Sequence, residues 1–137
     1  SITSSGGADP YVISYTNAGV HRWSKGFGSS SYDYGYGIGV DNVGNVYATG
    51  YFYNTMKVAG TTLTSNGSGD VYIASWDATG NARFARSHGG TSSDYGYEVA
   101  GDNFGNVFVT GYFYNTADFG GGNLTASSTD AFLMKLK

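Results

Sequence analysis

Residues 33–53 read DYGYGIGVDNVGNVYATGYFY, and residues 94–114 read DYGYEVAGDNFGNVFVTGYFY. The second stretch begins 61 residues after the first (94 − 33 = 61), and an internal period of that size marks a repeat architecture. The same offset carries Asp9-Pro10-Tyr11-Val12-Ile13 onto Asp70-Val71-Tyr72-Ile73-Ala74, and Arg22-Trp23 onto Arg83-Phe84. Asp130-Ala131-Phe132-Leu133-Met134 is a third copy reached after 60 residues (130 − 70 = 60), one residue having been lost in the loop before it.

Within each copy, apolar alternation of period two is broken by turn signals at short intervals, which predicts four strands, a to d. Strand a covers Tyr34 to Val40 and Tyr95 to Ala100, strand b Val46 to Tyr53 and Val107 to Tyr114. Between them stand Asp41-Asn42-Val43-Gly44-Asn45 and Asp102-Asn103-Phe104-Gly105-Asn106, hairpin turns in which Asp bonds forward to the backbone and Gly takes positive φ. A longer loop follows, Asn54 to Gly69 or Asn115 to Thr129, with Leu63 and Leu124 expected to tuck it onto the sheet. Strand c occurs three times, at Tyr11 to Tyr15, Val71 to Trp76 and Ala131 to Leu136; strand d occurs at Val20 to Phe27 and Asn81 to His88. Four of the seven basic residues, Arg22, Lys25, Arg83 and Arg86, lie on strand d, as on a sheet edge guarded against further pairing. Strand c is apolar on both faces and must be sandwiched. Strand a sets Tyr34, Tyr36, Ile38 and Val40 against Gly35, Gly37 and Gly39, and a glycine face allows close approach. Four-stranded antiparallel sheets covered on both faces by their neighbours are the blades of a propeller, and the fold expected is an all-β propeller array. It divides into residues 1–32 (c and d), 33–88 (a complete blade) and 89–137 (a, b and c).

The 23 Gly, 13 Tyr and 8 Phe fit such a fold, and 40% hydrophobic content with 12% charged residues separates the chain from a disordered tail. A net charge of −3 with no basic run argues against nucleic acid as a partner. No stretch reaches the roughly 18 apolar residues of a spanning helix, so no membrane insertion is expected. The absence of Cys leaves the compartment open. A chain opening on Ser1 is read as a processed or excised form.

Asp33 to Asp41, Gly44 to Tyr51, Asp118-Phe119-Gly120-Gly121 with Leu124-Thr125, and Asp130 to Leu136 together resemble the SBBP-type bacterial β-propeller repeat. The resemblance runs over nearly the whole chain. It implies a secreted or cell-surface location in a bacterium or archaeon, and it brings no general catalytic activity and no consensus cofactor. The loop after strand b is longer than in the shortest family members.

Candidate chemistry is thin. His21 and His88 align with Ala82 and Phe27, so neither recurs, and a metal site from them would need a third ligand. No Cys nucleophile or nucleophile-elbow Ser exists. Asp9/Asp70/Asp130, Asp33/Asp94 and Asp41/Asp102 recur, which suits turn caps and main-chain acceptors better than a single catalytic centre. Asp41, Asn45, Asp102 and Asn106 are the candidates for Ca²⁺, although the turn lacks the alternating acids and distal Glu of a strong calcium loop. Tyr51, Tyr53, Tyr112 and Tyr114 alternate on strand b and are read either as core between blades or as a stacking platform for surface glycans. Asn66-Gly67-Ser68 and Asn123-Leu124-Thr125 are acceptor sequons in a glycosylating host. Glu98 replaces Gly37 and is the one non-repeating acid of strand a.

The strand order c, d, a, b, c, d, a, b, c leaves a surplus c. Tyr11, Ile13 and Tyr15 then compete with Phe132, Met134 and Leu136 for one slot between copies of the chain. The expectation is a non-catalytic extracellular structural or adhesive module that associates with copies of itself, with a lectin-like oligomer as the alternative.

Overall fold

The computed structural model describes all 137 residues, Ser1–Lys137, as eleven strands and no helix. They are β1 (Tyr11–Tyr15), β2 (His21–Gly26), β3 (Tyr34–Val40), β4 (Val46–Phe52), β5 (Thr55–Val58), β6 (Thr61–Thr64), β7 (Asp70–Trp76), β8 (Ala82–Gly90), β9 (Asp94–Gly101), β10 (Val107–Asp118) and β11 (Asn123–Leu136). A seven-stranded sheet follows the path β11-β10-β8-β7-β4-β3, with β9 on the free side of β10. β3 then lies against β9, so the sheet nearly closes on itself. β1 and β2 form a separate ribbon, as do β5 and β6.

Pairing follows the repeat residue by residue. Tyr34↔Tyr51 and Gly37↔Thr49 return as Tyr95↔Tyr112 and Glu98↔Thr110. Tyr11↔Gly26 and Tyr15↔His21 return as Tyr72↔Ser87 and Trp76↔Ala82, irregularity included. Even the single bridge Gly28↔Lys57 has its counterpart in Gly89↔Asp118. Equivalent side chains therefore meet equivalent neighbours wherever the neighbouring strand exists.

β4 and β7 are buried along their whole length, as a strand apolar on both faces requires. On one side Val12, Trp23 and Phe27 of the β1–β2 segment close over Ala48, Phe52, Tyr72 and Trp76. On the other, Tyr47, Val71 and Ile73 meet Val99, Val109, Phe113 and Phe132 of the β9–β10–β11 sheet. At roughly 25 cal/mol per Å² of apolar surface removed from water, this double burial is the main source of stability.

Three expectations need correction. Asn54 to Gly69 is not a plain loop: Met56 and Leu63 alternate inward on the β5–β6 hairpin, whose two-residue turn places Ala59 at φ 48° and Gly60 at φ 74°. Both central residues at positive φ make the turn that matches strand twist. The segment Asn115 to Thr129 repeats that hairpin in the same register (Thr55↔Thr64 and Thr116↔Thr125), fused to the main strands as the ends of β10 and β11. Leu63 packs into the core, but Leu124 is half exposed because β6 is covered by β8 and no strand stands in that place beside β11.

The third correction is on β3. Tyr36, and Tyr97 in β9, are extra residues in a bulge, since Gly35 pairs with Gly50 and Gly37 with Thr49. A bulge resets the two-residue alternation. Tyr34 and Tyr36 thus stack toward Tyr51 and Tyr97, Gly37 and Gly39 lie on the β9 backbone, Gly35 turns toward Pro10 and Tyr72, and Ile38 and Val40 point away from β9 into solvent.

Candidate functional site

The bulges gather eight tyrosines into one connected cluster at the β3–β9 junction. Tyr34 stacks on Tyr51 at 4.9 Å, Tyr51 meets Tyr95 edge-on at 4.5 Å, and Tyr95 contacts Tyr112 at 4.9 Å. Tyr36 stacks on Tyr97 at 5.0 Å, and Tyr97 on Tyr112 at 5.3 Å with 3.3 Å between their hydroxyls. Tyr53 and Tyr114 close the ends, each edge-on to its strand neighbour. Such pairs contribute about 0.5–1.5 kcal/mol each beyond the area they bury.

All four strand-b tyrosines singled out from sequence, Tyr51, Tyr53, Tyr112 and Tyr114, belong to this cluster. Tyr34, Tyr36, Tyr95 and Tyr97, the repeated Tyr-Gly-Tyr of β3 and β9, complete it. Burial, with Tyr36 next, raises the Tyr51 phenol well above its ordinary range; the Tyr97 hydroxyl and then burial do the same for Tyr112, and burial does so for Tyr53. These groups are hydrogen-bonding hydroxyls at neutral pH, not bases. Tyr36 and Tyr97 keep the most exposed rings. Where Tyr95 and Tyr114 meet, Ser68, Ser92, Ser93, Tyr95, Tyr114 and Asn115 line an open recess of about 430 Å³.

Asp41 and Asn45 are brought together, as are Asp102 and Asn106, but as hydrogen-bonded turns. Asn45 Nδ2 donates to Asp41 Oδ2 at 2.7 Å, the Val43 and Asn45 N–H groups donate to Oδ1, and the Tyr47 hydroxyl donates to Oδ2 at 2.9 Å. Asn106 Nδ2 likewise donates to Asp102 at 2.6 Å. A cation at either turn would have to displace these donors. Asp77, which is not among the sequence candidates, builds the same turn with Thr79 and Asn81.

The other recurrent aspartates lie elsewhere. Asp33, Asp70 and Asp94 are buried, and Asp9 is half-buried. Asp33 accepts from Ser29 N and Tyr53 N, and Asp94 from the equivalent Gly90 N and Tyr114 N. Asp9 accepts from Ser5 N, and Asp70 from the equivalent Asn66 N. Burial, the largest influence, pushes the Asp70 carboxyl up to about 7; the Asn66 N–H opposes it and the Asp94 charge adds to the rise. Burial also raises Asp94 against the pull of its two N–H donors.

His21 is exposed and edge-on to Tyr15, while His88 is half-buried on β8 with Nε2 unpartnered and its affinity for a proton lowered by burial and by Arg86. Glu98 is exposed. Tyr11, Ile13 and Tyr15 are exposed on β1, whereas Phe132, Met134 and Leu136 of β11 pack into this chain's own core and leave Leu133, 77% exposed, on the outer side.

Residues 22–51 match the family model of the SBBP β-propeller repeat. The match spans β3 and nearly all of β2 and β4, together with the Asp41 turn and the first bulge. The SBBP pattern thus falls on the part of the chain where one strand ribbon passes into the next sheet. No curated protein matches the chain.

Proposed function

We propose that this chain is a non-catalytic, extracellular structural or adhesive repeat module that associates with copies of itself by completing its unfinished sheets. In this reading the 61-residue repeat is one blade: β3-β4-β7-β8 is complete, β1–β2 is the outer half of the blade before it, and β9-β10-β11 lacks only its outer strand.

The observation that carries the reading is a comparison of equivalent residues. Val99 is 5% exposed beneath β3 and β4, but Ile38, its counterpart one repeat earlier, is 59% exposed because no strand among these residues lies over that face of β3. Val40 and Tyr11 border the same open face at 60% and 64%. Pro10, Val12 and Tyr72 line the floor of the groove between β1 and β3, about 440 Å³ in volume. An apolar face of this kind favours a partner. The free edge of β1 and the outer edge of β11 add main-chain groups that pair by strand addition.

The partner that fits both is a second copy, whose β9–β10 would supply the inner strands missing beside β1 as β1 takes the place of that copy's β11. A head-to-tail contact of that type closes into a ring or runs on as a filament. Because β11 already holds the slot that β1 of the next copy needs, an open filament is favoured over a ring. Electron microscopy of the purified chain tests this: filaments that vanish when residues 1–16 are removed support it, and uniform closed discs rule out the strand-exchange form.

The recess bounded by Ser68, Ser93, Tyr95, Tyr114 and Asn115 favours a second reading, a lectin-like module. It combines aromatic faces with hydroxyl and amide groups, the chemistry that sugars require. A glycan array on which Tyr114→Ala abolishes all binding would support it.

A further inference from the structure

The recurrent aspartates form two equivalent pairs, each closed around a glycine at the end of a d strand. Asp70 opens β7 and Asp94 opens β9, and Gly89 near the end of β8 lies between them. A Cβ on Gly89 would stand 2.7 Å from Asp70 Oδ1 and 2.7 Å from Asp94 Oδ2. One repeat earlier, a Cβ on Gly28 would collide with Asp9 Oδ1 and stand 3.1 Å from Asp33 Oδ2. The two carboxylates of each pair therefore converge on one point, and only a residue without a side chain leaves that point clear.

Charge and hydrogen bonding at the pair do not balance. Asp70 and Asp94 are both fully buried, and every donor to them is a neutral main-chain N–H: Asn66 N at 3.0 Å, Gly90 N at 2.7 Å and Tyr114 N at 3.4 Å. Asp70 Oδ1, the oxygen turned to Gly89, has no partner, and the equivalent Asp9 Oδ1 has none either. The orphan recurs at the same atom of the same repeat position. Two like charges in a dry site, one with an unpartnered oxygen, are strongly unfavourable unless something positive joins them. Asp130, the third copy of Asp9 and Asp70, is exposed.

We propose that each Asp-Gly-Asp cradle, Asp70/Gly89/Asp94 and Asp9/Gly28/Asp33, binds one divalent cation of the Ca²⁺ class. Hard carboxylate oxygens suit such an ion, and its preference for many oxygen ligands leaves positions for main-chain carbonyls and water. Bound there, the ion ties the start of β7 to the start of β9 across the end of β8, and so clips one repeat to the next. The cradle is separate from the Asp41 and Asp102 turns, whose oxygens are already taken up by side-chain and main-chain donors.

The test uses the full chain, stripped with EDTA and dialysed at pH 7.5, with CaCl₂ as the probe and MgCl₂ beside it. Titration calorimetry should find two Ca²⁺ per chain, and a hundredfold excess over Kd should raise Tm by roughly 5 °C or more. Asp70→Asn should lower the stoichiometry to one, and the half-buried Asp9→Asn provides the same reading at the other cradle if Asp70→Asn does not fold. Asp41→Asn should leave both ions in place. No heat and no Tm shift with either metal would overturn the proposal and leave a proton as the neutralising partner. Ion loss that follows Asp41→Asn rather than the cradle variants would overturn it as well.

Discussion

Gly37 lies directly on the backbone of Glu98: a Cβ built on Gly37 would stand 2.8 Å from the Glu98 Cα and 2.6 Å from the Tyr97 carbonyl oxygen. Two strands separated by 61 residues in sequence (98 − 37 = 61) are thus the same repeat position meeting itself across a sheet interface. The glycine on the earlier strand is what permits the contact, because the obstacle is main chain and cannot swing aside.

Gly37→Ala should therefore destabilise the fold, by about 1–3 kcal/mol as for other overpacked sites. Thermal melting checks it. An unchanged Tm would mean that β3 and β9 are not held at this distance.

Glu98 occupies the Gly37 position on β9, so a further inner strand seats on β9 less closely than β9 seats on β3. Glu98→Gly should strengthen self-association, seen as a lower concentration for the monomer-to-oligomer transition in sedimentation. Glu98→Gln retains the bulk and removes the charge, and should behave like the wild type. Equal strengthening by both variants would assign the block to charge rather than to size.

Within the tyrosine cluster, burial decides the cost of truncation. Tyr51 is 9% exposed and makes ring contacts with Tyr34, Tyr36, Tyr53 and Tyr95, so Tyr51→Ala should cost about 3 kcal/mol or more. Tyr36, 49% exposed, should cost well under half of that. Urea denaturation of the two variants measures the difference, and similar midpoints would contradict it.

The Asp-turns set an acid limit. The Thr79 hydroxyl and the Asn81 N–H hold Asp77 below the ordinary carboxylate range, and the Asn106 amide does the same for Asp102. At Asp41, burial pulls upward but the bonds from Asn45, Tyr47 and Val43 outweigh it, again giving a lowered value. A carboxyl with a folded value below its unfolded one stabilises above the unfolded pKa of about 3.9, and that contribution is lost as pH falls through the folded value. Tm should decline as pH drops from about 4 to about 2, and Asp77→Asn should make the decline shallower. A Tm that holds constant over that range would remove the turns from the account.

Much of this is legible in the amino-acid sequence. The 61-residue offset is carried by side chains that face the same neighbours in each copy, so β3, β4, β7 and β9 fall within a residue or two of the expected spans. The β5–β6 hairpin was not legible, because its turn uses Ala59 at positive φ and Ala-Gly carries no turn signature. Nor were the bulges at Tyr36 and Tyr97: alternation in sequence continues through a bulge although the strand faces do not. The paired aspartates could be seen to recur, but only the fold brings Asp70 to Asp94 over Gly89. The exposure of Ile38 beside the burial of Val99 likewise depends on which strands are present, not on the residues themselves.

The proposed self-association rests on that open face, and sedimentation velocity of the wild type beside Ile38→Lys tests it most directly. A charge at Ile38 leaves the chain's own core untouched, since the side chain points outward. The wild type should sediment as a species larger than one chain, which Ile38→Lys converts to monomer. A wild type that sediments as a compact monomer and melts in one cooperative step would contradict it.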